Sequence, residues 1–309
     1  LPTVDGLLAD CKKTLVDAGI DIEQIKFTQF DEDPTSFYFR DNGPNVMVND
    51  KGETLVVNPS WSFYGRYGKN DGLQNFSRLA GVHAAVTLGC TNIIDSDMVS
   101  EGGDREFNGA GILMAVEDTE VRKRNPEYTK EQIEAEYKKI WNVEKIIWLP
   151  QPLFDDDDFT QAPLDFKEDA RPSSVPVSPR TPMDVPFHRQ DKILLAEVTE
   201  EEAASNVISR ENKRRLDACY EILKNETDLE GNPFEIYRFH VAHIEYIQRP
   251  GDDLFDYYHE LVGDSFKDGT PWDNEGDLHL FAATSYCNFL VCNGVVLGQR
   301  YWQPGMDEA

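Results

Sequence analysis

The sequence predicts an α/β fold, and two observations carry that prediction. An apolar strand at residues 112–116, a helix after Thr129 and a second strand at residues 145–149 follow one another closely, which is typical of α/β architecture. The chain of 309 residues is 40% hydrophobic and 11% aromatic, so it can bury a substantial core. It holds no apolar run of about eighteen residues, and no membrane-spanning helix is predicted.

The N-terminal part predicts a helix and then a hairpin. Apolar side chains recur at helical spacing over residues 4–20, and Gly19 is suited to end that helix. The apolar stretches 46–48 and 55–57 flank the turn sequence Asn49-Asp50-Lys51-Gly52. This pattern predicts two antiparallel strands joined by a tight turn.

Further elements follow in the second half of the chain. Thr129 and Gln132 have the spacing of a capping box, which predicts the start of a helix. The apolar face of this helix is predicted to hold Ile133, Tyr137, Ile140 and Trp141. Later signals predict a strand at 193–198, a helix at 211–225, a strand at 234–239 and a final strand at 288–297.

We expect a single domain over residues 1–309, interrupted by irregular insertions at about 151–190 and 248–277. The first insertion holds four consecutive aspartates at 155–158 and then six prolines. Proline at this density prevents regular structure, which predicts a long surface loop or an ordered excursion.

The formal charge of −27 and the five cysteines constrain partners and compartment. Such an acidic balance repels nucleic acid and anionic membranes and mildly favours cationic ligands, although a solvated acidic surface explains it equally well. The cysteine count is odd and no CxxC pair occurs, so neither a disulfide framework nor a thiolate zinc site is indicated. Reduced thiols in a cytoplasmic protein are the expectation.

Three segments place turn residues beside a charged or amide group. In Arg40-Asp41-Asn42-Gly43-Pro44, the Gly-Pro pair is expected to end a strand and to leave the Asp41 carboxylate at its tip. In Glu101-Gly102-Gly103, the glycines allow backbone to approach closely beside a carboxylate. Asn288 begins an apolar strand. Taken singly, each segment is also compatible with a local turn or a buried, satisfied asparagine.

Taken together, the segments RDNGP, EGGDREFNGAG, NPEYTKEQIEAEYKKIWNVEKIIWLP and SYCNFLVCNG resemble the agmatine deiminase and bacterial-type peptidyl-arginine deiminase family of guanidine-modifying enzymes. The resemblance covers roughly residues 30–150 and 190–305. It implies a five-bladed α/β propeller of the pentein type, with no metal or organic cofactor. It also implies hydrolysis of a guanidinium to a ureido group and ammonia through a covalent cysteine intermediate.

The same resemblance assigns roles to particular residues. Asp41 matches the aspartate that binds the guanidinium, and Glu101 matches the glutamate beside the catalytic histidine and the substrate. Asn288 matches an asparagine near the pocket, and Tyr38 stands where several members have tryptophan, which keeps an aromatic wall for a cation. Arg66 is a candidate partner for a substrate carboxylate, with a surface or structural role as the alternative.

Two pieces of the family pattern have no counterpart. The Gly-His-x-Asp segment is expected shortly after the 145–149 strand, where this chain has aspartates 155–158. His188 is the one nearby histidine, and its spacing differs from the pattern. The nucleophilic cysteine of a Gly-Gly-x-His-Cys segment is the second, since this sequence is expected to stop before that segment. Cys287 and Cys292 have the apolar neighbours of core residues.

Three functional hypotheses follow. The first is a deiminase-like hydrolase intact only in a longer parent protein, so that this chain alone is expected to be inactive. The second is a catalytically silent guanidinium-binding member, and the third is an amidino transferase that needs an amine acceptor. The expected partners are agmatine, arginine or an arginyl peptide, without nucleic acid or membrane, and a homo-oligomer is left open.

Overall fold

The structure is a computed structural model. It describes residues 4–25, 27, 39–62, 65, 81–83, 85–87, 89–90, 92–154, 174–176, 185–240, 245–281, 286–287, 289–292, 295–298 and 301. The α-helices of these residues are α1 (Val4–Asp17), α2 (Phe39–Asn42), α3 (Lys130–Trp141), α4 (Glu200–Ser205), α5 (Val207–Leu223) and α6 (Asp253–Val262). Short 3-10 helices span Ile22–Gln24 and Gly102–Asp104, and a π-helix spans Asp118–Lys123.

The strands among the described residues are β1 (Asn45–Val48), β2 (Thr54–Ser60), β3 (Ile93–Val99), β4 (Arg105–Phe107), β5 (Ile112–Val116), β6 (Lys145–Leu149), β7 (Ser174–Pro176), β8 (Phe187–Arg189), β9 (Lys192–Glu197), β10 (Glu235–His240), β11 (Glu245–Gln248), β12 (Leu278–Phe281), β13 (Leu290–Cys292) and β14 (Val295–Leu297). Helices and mixed sheets therefore alternate along the chain, and the predicted α/β class is confirmed.

The described strands form five small sheets, and three of them share one plan. In β1-β2-β3, β4-β5-β6 and β8-β9-β10, the first two strands form an antiparallel hairpin and the third is parallel to the second. The other two sheets are β11-β12-β7 and the hairpin β13-β14. The sequence shows no internal repeat, so the repetition lies in the strand order rather than in the residues.

Local chemistry explains the first elements. Helix α1 ends in left-handed Gly19 (φ 78°), whose N–H donates to Val16 O at 2.9 Å while Ile20 N–H donates to Leu15 O at 2.9 Å. In the predicted β1–β2 hairpin, which is confirmed, the Asn49 side-chain oxygen accepts the N–H groups that follow it in the turn. These bonds satisfy backbone groups that neither the helix nor the ladder can reach.

Strand β5 lies between two cores. All five of its residues are buried, and alternate side chains point to opposite faces. Leu113 and Ala115 pack with the buried face of α3, which begins at the predicted capping box of Thr129 and Gln132. The other three β5 residues join a second cluster with β6, β9 and α5. A continuous apolar run is therefore required here rather than an alternating one.

Three predictions about the second half need correction. Residues 248–277 are not irregular throughout, because α6 buries Phe255 and Tyr258 in a small cluster of its own with Trp272. The segment 151–190 contains β7 and β8, and β8 is held by antiparallel pairing with β9. The expected final strand at 288–297 is the β13–β14 hairpin. In the part of the chain that the structure describes, no helix is long and apolar enough to cross a membrane.

Candidate functional site

Glu101 lies in a buried turn that joins two neighbouring sheets. Strand β3 ends at Val99, and the 3-10 helix Gly102–Asp104 leads directly into β4. The Asp104 N–H donates to the Glu101 carbonyl oxygen at 3.0 Å and closes the turn. Glu101 is fully buried, so its carboxylate needs partners inside the protein.

The two motifs singled out in the sequence meet at this turn. A methyl group on Gly102 would lie 1.8 Å from the Arg40 carbonyl oxygen and 3.4 Å from the Asp41 Cα. The backbone of α2 therefore packs directly on the Glu101 turn, and only glycine leaves room for that approach. The sequence prediction of Asp41 at a strand tip is wrong, because Asp41 lies in the helical turn α2. Pro44 restricts the residue before it but leaves the earlier residues free to turn.

A second contact holds α2 in place. The Arg40 side chain forms an ion pair with Glu106 of β4. Burial raises the pKa of Glu106, although the Arg40 guanidinium opposes that shift. Asp41 itself is partly buried and acts electrostatically on Arg105. The Asp41 carboxylate is thus carried on a turn fixed through both the backbone and the side chain of its neighbour.

The Glu101 carboxylate binds a guanidinium from its own chain. Arg124 pairs with it through Nε and Oε1, and Arg124 Nη2 donates to Oε2 at 3.2 Å. Arg124 directly follows the π-helix, and its N–H donates to Thr119 O at 2.9 Å. Although burial opposes it, the Glu101 carboxylate raises the pKa of Arg124. Both oxygens of Glu101 are engaged.

Glu120, from the same π-helix, binds the backbone of the Glu101 turn. Its Oε1 accepts the Glu101 N–H at 3.1 Å, and its Oε2 accepts the hydroxyl of Tyr137 from α3. Burial, and then the Glu120 carboxylate, raise the pKa of Tyr137 well above its usual range. The Asn125 side chain donates to Val99 O at 2.8 Å and accepts the Val99 N–H at 2.9 Å. These bonds fasten the π-helix to the end of β3.

Arg105 joins the turn to two other elements. Its Nη1 donates to Ser100 Oγ at 2.6 Å and its Nη2 to Asn45 Oδ1 at 2.9 Å. The guanidinium lies over the Trp141 ring, 4.9 Å from its centroid. Burial lowers the pKa of Arg105 from its ordinary value. A second guanidinium is therefore fixed beside Ser100, the residue before Glu101, and Arg105 is 2% exposed.

Asp104 completes the cluster. It is fully buried, and among the described residues neither of its carboxylate oxygens has a hydrogen-bond partner. Burial, and then the carboxylates of Glu101 and Glu120, raise the pKa of Asp104 well above its usual range. The sequence pointed to Glu101 but missed Asp104, Glu120 and Arg124. In the sequence these residues are distinguished only by being charged residues near buried strands. Many surface residues have the same property, so it does not identify a site.

The remaining residues predicted from the sequence are not part of this cluster as the structure describes it. Tyr38, Arg66 and Asn288 lie outside the described residues. His188 is exposed on β8, in a groove of about 440 Å³ that Arg189 and Lys192 also line. Among the described residues, no group of three or more acidic, histidine or cysteine side chains is arranged to hold a metal ion.

The described cysteines differ in accessibility. Cys11 is exposed, whereas Cys90, Cys219 and Cys287 are buried. Burial raises the pKa of the Cys219 thiol to about 12. A buried thiol with so high a pKa is a poor nucleophile. The burial of Cys287 agrees with its sequence-based assignment as a core residue.

A separate cavity of about 480 Å³ lies between β1, the turn after β4 and the C-terminal end of α3. Its walls include Asn45 and Trp141, which both contact Arg105. Neither Asp41 nor Glu101 is among its lining residues. The carboxylate cluster and this cavity are therefore neighbours, joined through Arg105.

Comparisons with known proteins agree with these motifs. An agmatine deiminase of Pseudomonas syringae pv. tomato is 30% identical over 295 residues, which cover 94% of this chain and 68% of that protein. The solved agmatine deiminase of Enterococcus faecalis has a TM-score of 0.59 at 21% identity, covering 88% of this chain and 64% of the other. A cysteine-to-serine variant of the C. jejuni agmatine deiminase with substrate bound has a TM-score of 0.58 at 17% identity, covering 95% and 68%.

The solved structures share the fold of this chain, and the chain spans about two thirds of the length of these relatives. The model of the Porphyromonas-type peptidyl-arginine deiminase family matches residues 7–169 and 184–309. The first of these stretches includes both turns that the structure brings together at Gly102. The chain therefore belongs to the Porphyromonas-type peptidyl-arginine deiminase family.

Proposed function

We propose that this chain binds a guanidinium group and contributes to its hydrolysis to a ureido group and ammonia, as a deiminase of its family. One observation carries the proposal: the Asp41 turn packs on the Glu101 turn without a side chain between them. Two carboxylates from distant parts of the sequence are thereby fixed around one contact. Agmatine and arginyl peptides are the substrates of first choice, since relatives of both descriptions match this chain.

In this proposal Asp41 accepts hydrogen bonds from the planar cation, since it is the less buried of the two carboxylates. Glu101 lies behind it and orients the site through its own turn. Tyr38 provides an aromatic wall, Asn288 an amide beside the reacting group, and Arg66 a partner for a substrate carboxylate. The covalent step requires a cysteine thiolate, which the buried described cysteines do not offer.

We further propose that the whole chain is one domain with the plan of a five-bladed α/β propeller. Five small sheets, three with the same strand order, support this arrangement. The free thiols of Cys11, Cys90, Cys219 and Cys287 support a reducing compartment such as the cytoplasm.

A second candidate function is guanidinium binding without turnover. Its support is the Arg124 side chain, which already occupies both oxygens of Glu101. In this case Asp41 alone faces a ligand, and the chain retains recognition while its buried described cysteines offer no thiolate.

Calorimetry and a turnover assay separate the two. The chain is titrated with agmatine and with an arginyl peptide, and ammonia and ureido product are then measured with the full-length protein. Turnover by the full-length protein supports the deiminase, and binding without product from the full-length protein supports the silent module. Asp41→Asn is expected to weaken binding, while Asp50→Asn, in the exposed β1–β2 turn, leaves it unchanged. If neither compound binds, both functions are excluded.

A further inference from the structure

The carboxyl of Asp104 is isolated in an unusual way. Its side chain is fully buried, and no donor among the described residues reaches either oxygen. The Glu101 carboxylate, however, lies within hydrogen-bonding reach of it. Two ionised carboxylates cannot hydrogen-bond, because both are acceptors only. A bond between them exists only if one carries a proton.

The buried charges around Asp104 favour one extra proton in this cluster. Three carboxyl groups, Glu101, Asp104 and Glu120, surround two guanidinium groups, Arg105 and Arg124, and nearly all of this charge is withdrawn from water. With every group ionised, the cluster has one surplus negative charge. An unpaired buried carboxylate is so costly that it takes up a proton instead.

The donors decide which acid holds the proton. Glu101 accepts two bonds from Arg124, and Glu120 accepts the Tyr137 hydroxyl and a backbone N–H. Bonds of this kind stabilise the ionised form, and Asp104 receives none of them from the residues that the structure describes. The acid without donors is therefore the one that takes the proton.

We propose that Asp104 is a neutral carboxylic acid at neutral pH and that its hydroxyl donates to the Glu101 carboxylate, which makes Asp104 a positioning residue for Glu101. Glu101 is then held in one orientation between the Asp104 hydroxyl and the Arg124 guanidinium. The protonation of Asp104 stands on the structure alone, whereas its importance for ligand binding rests on the proposed function.

The groups that face Asp104 come from every element packed around it. Arg124 and Glu120 approach from the π-helix region, Glu101 from its own turn and Arg105 from the start of β4. Arg105 also interacts electrostatically with Asp41 of α2 and Tyr137 of α3. Burial is the largest cause that raises the pKa of Asp104, and the Glu101 and Glu120 carboxylates raise it further against the opposing guanidinium of Arg124. Protonation is therefore favoured there.

The protonation has a definite consequence for stability. In the unfolded chain the carboxyl has its ordinary pKa of 3.8, and in the folded chain its pKa lies well above that value. A raised folded pKa stabilises the protein fully at low pH, and that contribution is lost as pH rises towards the folded pKa. Across this window the folding equilibrium constant falls about tenfold per pH unit because of this one group.

Asp104→Asn tests the protonation, because asparagine is isosteric, stays neutral and keeps a donor for Glu101. Urea unfolding is followed between about pH 5 and pH 7 for wild type, Asp104→Asn and the exposed control Asp50→Asn. We expect the ratio of the two folding equilibrium constants, Asp104→Asn over wild type, to rise about tenfold with each pH unit. The Asp50→Asn curve should run parallel to wild type. Parallel curves for all three proteins would overturn the proposal.

An infrared difference spectrum provides a direct readout on the folded protein. At about pH 7, wild type minus Asp104→Asn should show the carbonyl stretch of a protonated carboxylic acid, since ordinary aspartates are ionised there. A spectrum with only a carboxylate band would refute a neutral Asp104. This measurement needs no ligand, so it remains decisive even if the chain binds no guanidinium.

The positioning role is tested by agmatine calorimetry on two variants. Asp104→Asn should bind like wild type, whereas Asp104→Ala, which lacks the donor, should bind at least about tenfold more weakly. Equal loss in both variants would exclude the hydrogen bond to Glu101 as the cause. If wild type itself does not bind, the proposed function fails while the pH and infrared results still judge the proton.

Discussion

Replacing Gly102 by alanine places a carbon atom 1.8 Å from the Arg40 carbonyl oxygen and 2.8 Å from the Arg40 carbonyl carbon. Real contacts of this kind are no shorter than 3.0 Å, so the two backbones must separate by about 1.2 Å, the difference between 3.0 and 1.8 Å. The obstacle is backbone, and the Arg40–Glu106 ion pair holds it in place. Overpacking in cores costs about 1–3 kcal/mol, and we expect the upper half of that range, about 2–3 kcal/mol.

Urea unfolding at 25 °C measures this loss, and agmatine calorimetry shows whether the Asp41 turn has moved away from the Glu101 turn. Gly298→Ala is the matched control, because a methyl group there meets nothing within 4 Å. The control should differ from wild type by less than about 0.5 kcal/mol. If Gly102→Ala unfolds at the same urea concentration as Gly298→Ala, the close packing of the two turns is refuted.

Further predictions concern the ion pair, a helix start and the thiols. Arg124→Ala leaves the buried Glu101 carboxylate without its guanidinium. Urea unfolding should therefore show a free energy of unfolding lower by about 3–5 kcal/mol, and a loss below about 1 kcal/mol would contradict the pairing. Thr129→Ala removes the capping box of α3, and thermal unfolding should reveal a loss of about 1 kcal/mol; an unchanged midpoint would show that the cap is not needed. In thiol labelling followed by mass spectrometry, exposed Cys11 should react in the native protein, and Cys219, with a pKa of about 12, should react only after unfolding.

Elements whose causes are local could be predicted from the sequence. Thr129 and Gln132 lie three residues apart, and their reciprocal bonds need nothing beyond that turn. The β1–β2 hairpin follows from Asn49 and Gly52, which satisfy the turn by their own side chain and backbone. Such elements are specified by residues close in sequence, and the pattern therefore predicts them well.

The candidate site has a different character, because its causes are distant in sequence. Gly102 is required by the Arg40 backbone, 62 residues earlier, and no local pattern records that contact. The pairing of Glu101 with Arg124 depends on a π-helix, whose hydrogen bonds have no sequence signature. Helix α6 was missed for a related reason, since its partner Trp272 lies beyond the helix.

The π-helix Asp118–Lys123 also constrains the length of this part of the chain. Glu120 within it and Arg124 directly after it must point at the Glu101 turn together. Deleting or inserting one residue would rotate all that follows by roughly a quarter of a turn, which would direct one of the two side chains outwards. The exposed turn Asp228–Asn232 makes no such pair of contacts and should accept an extra residue. A short charged stretch between two buried elements is therefore among the segments least able to change its number of residues.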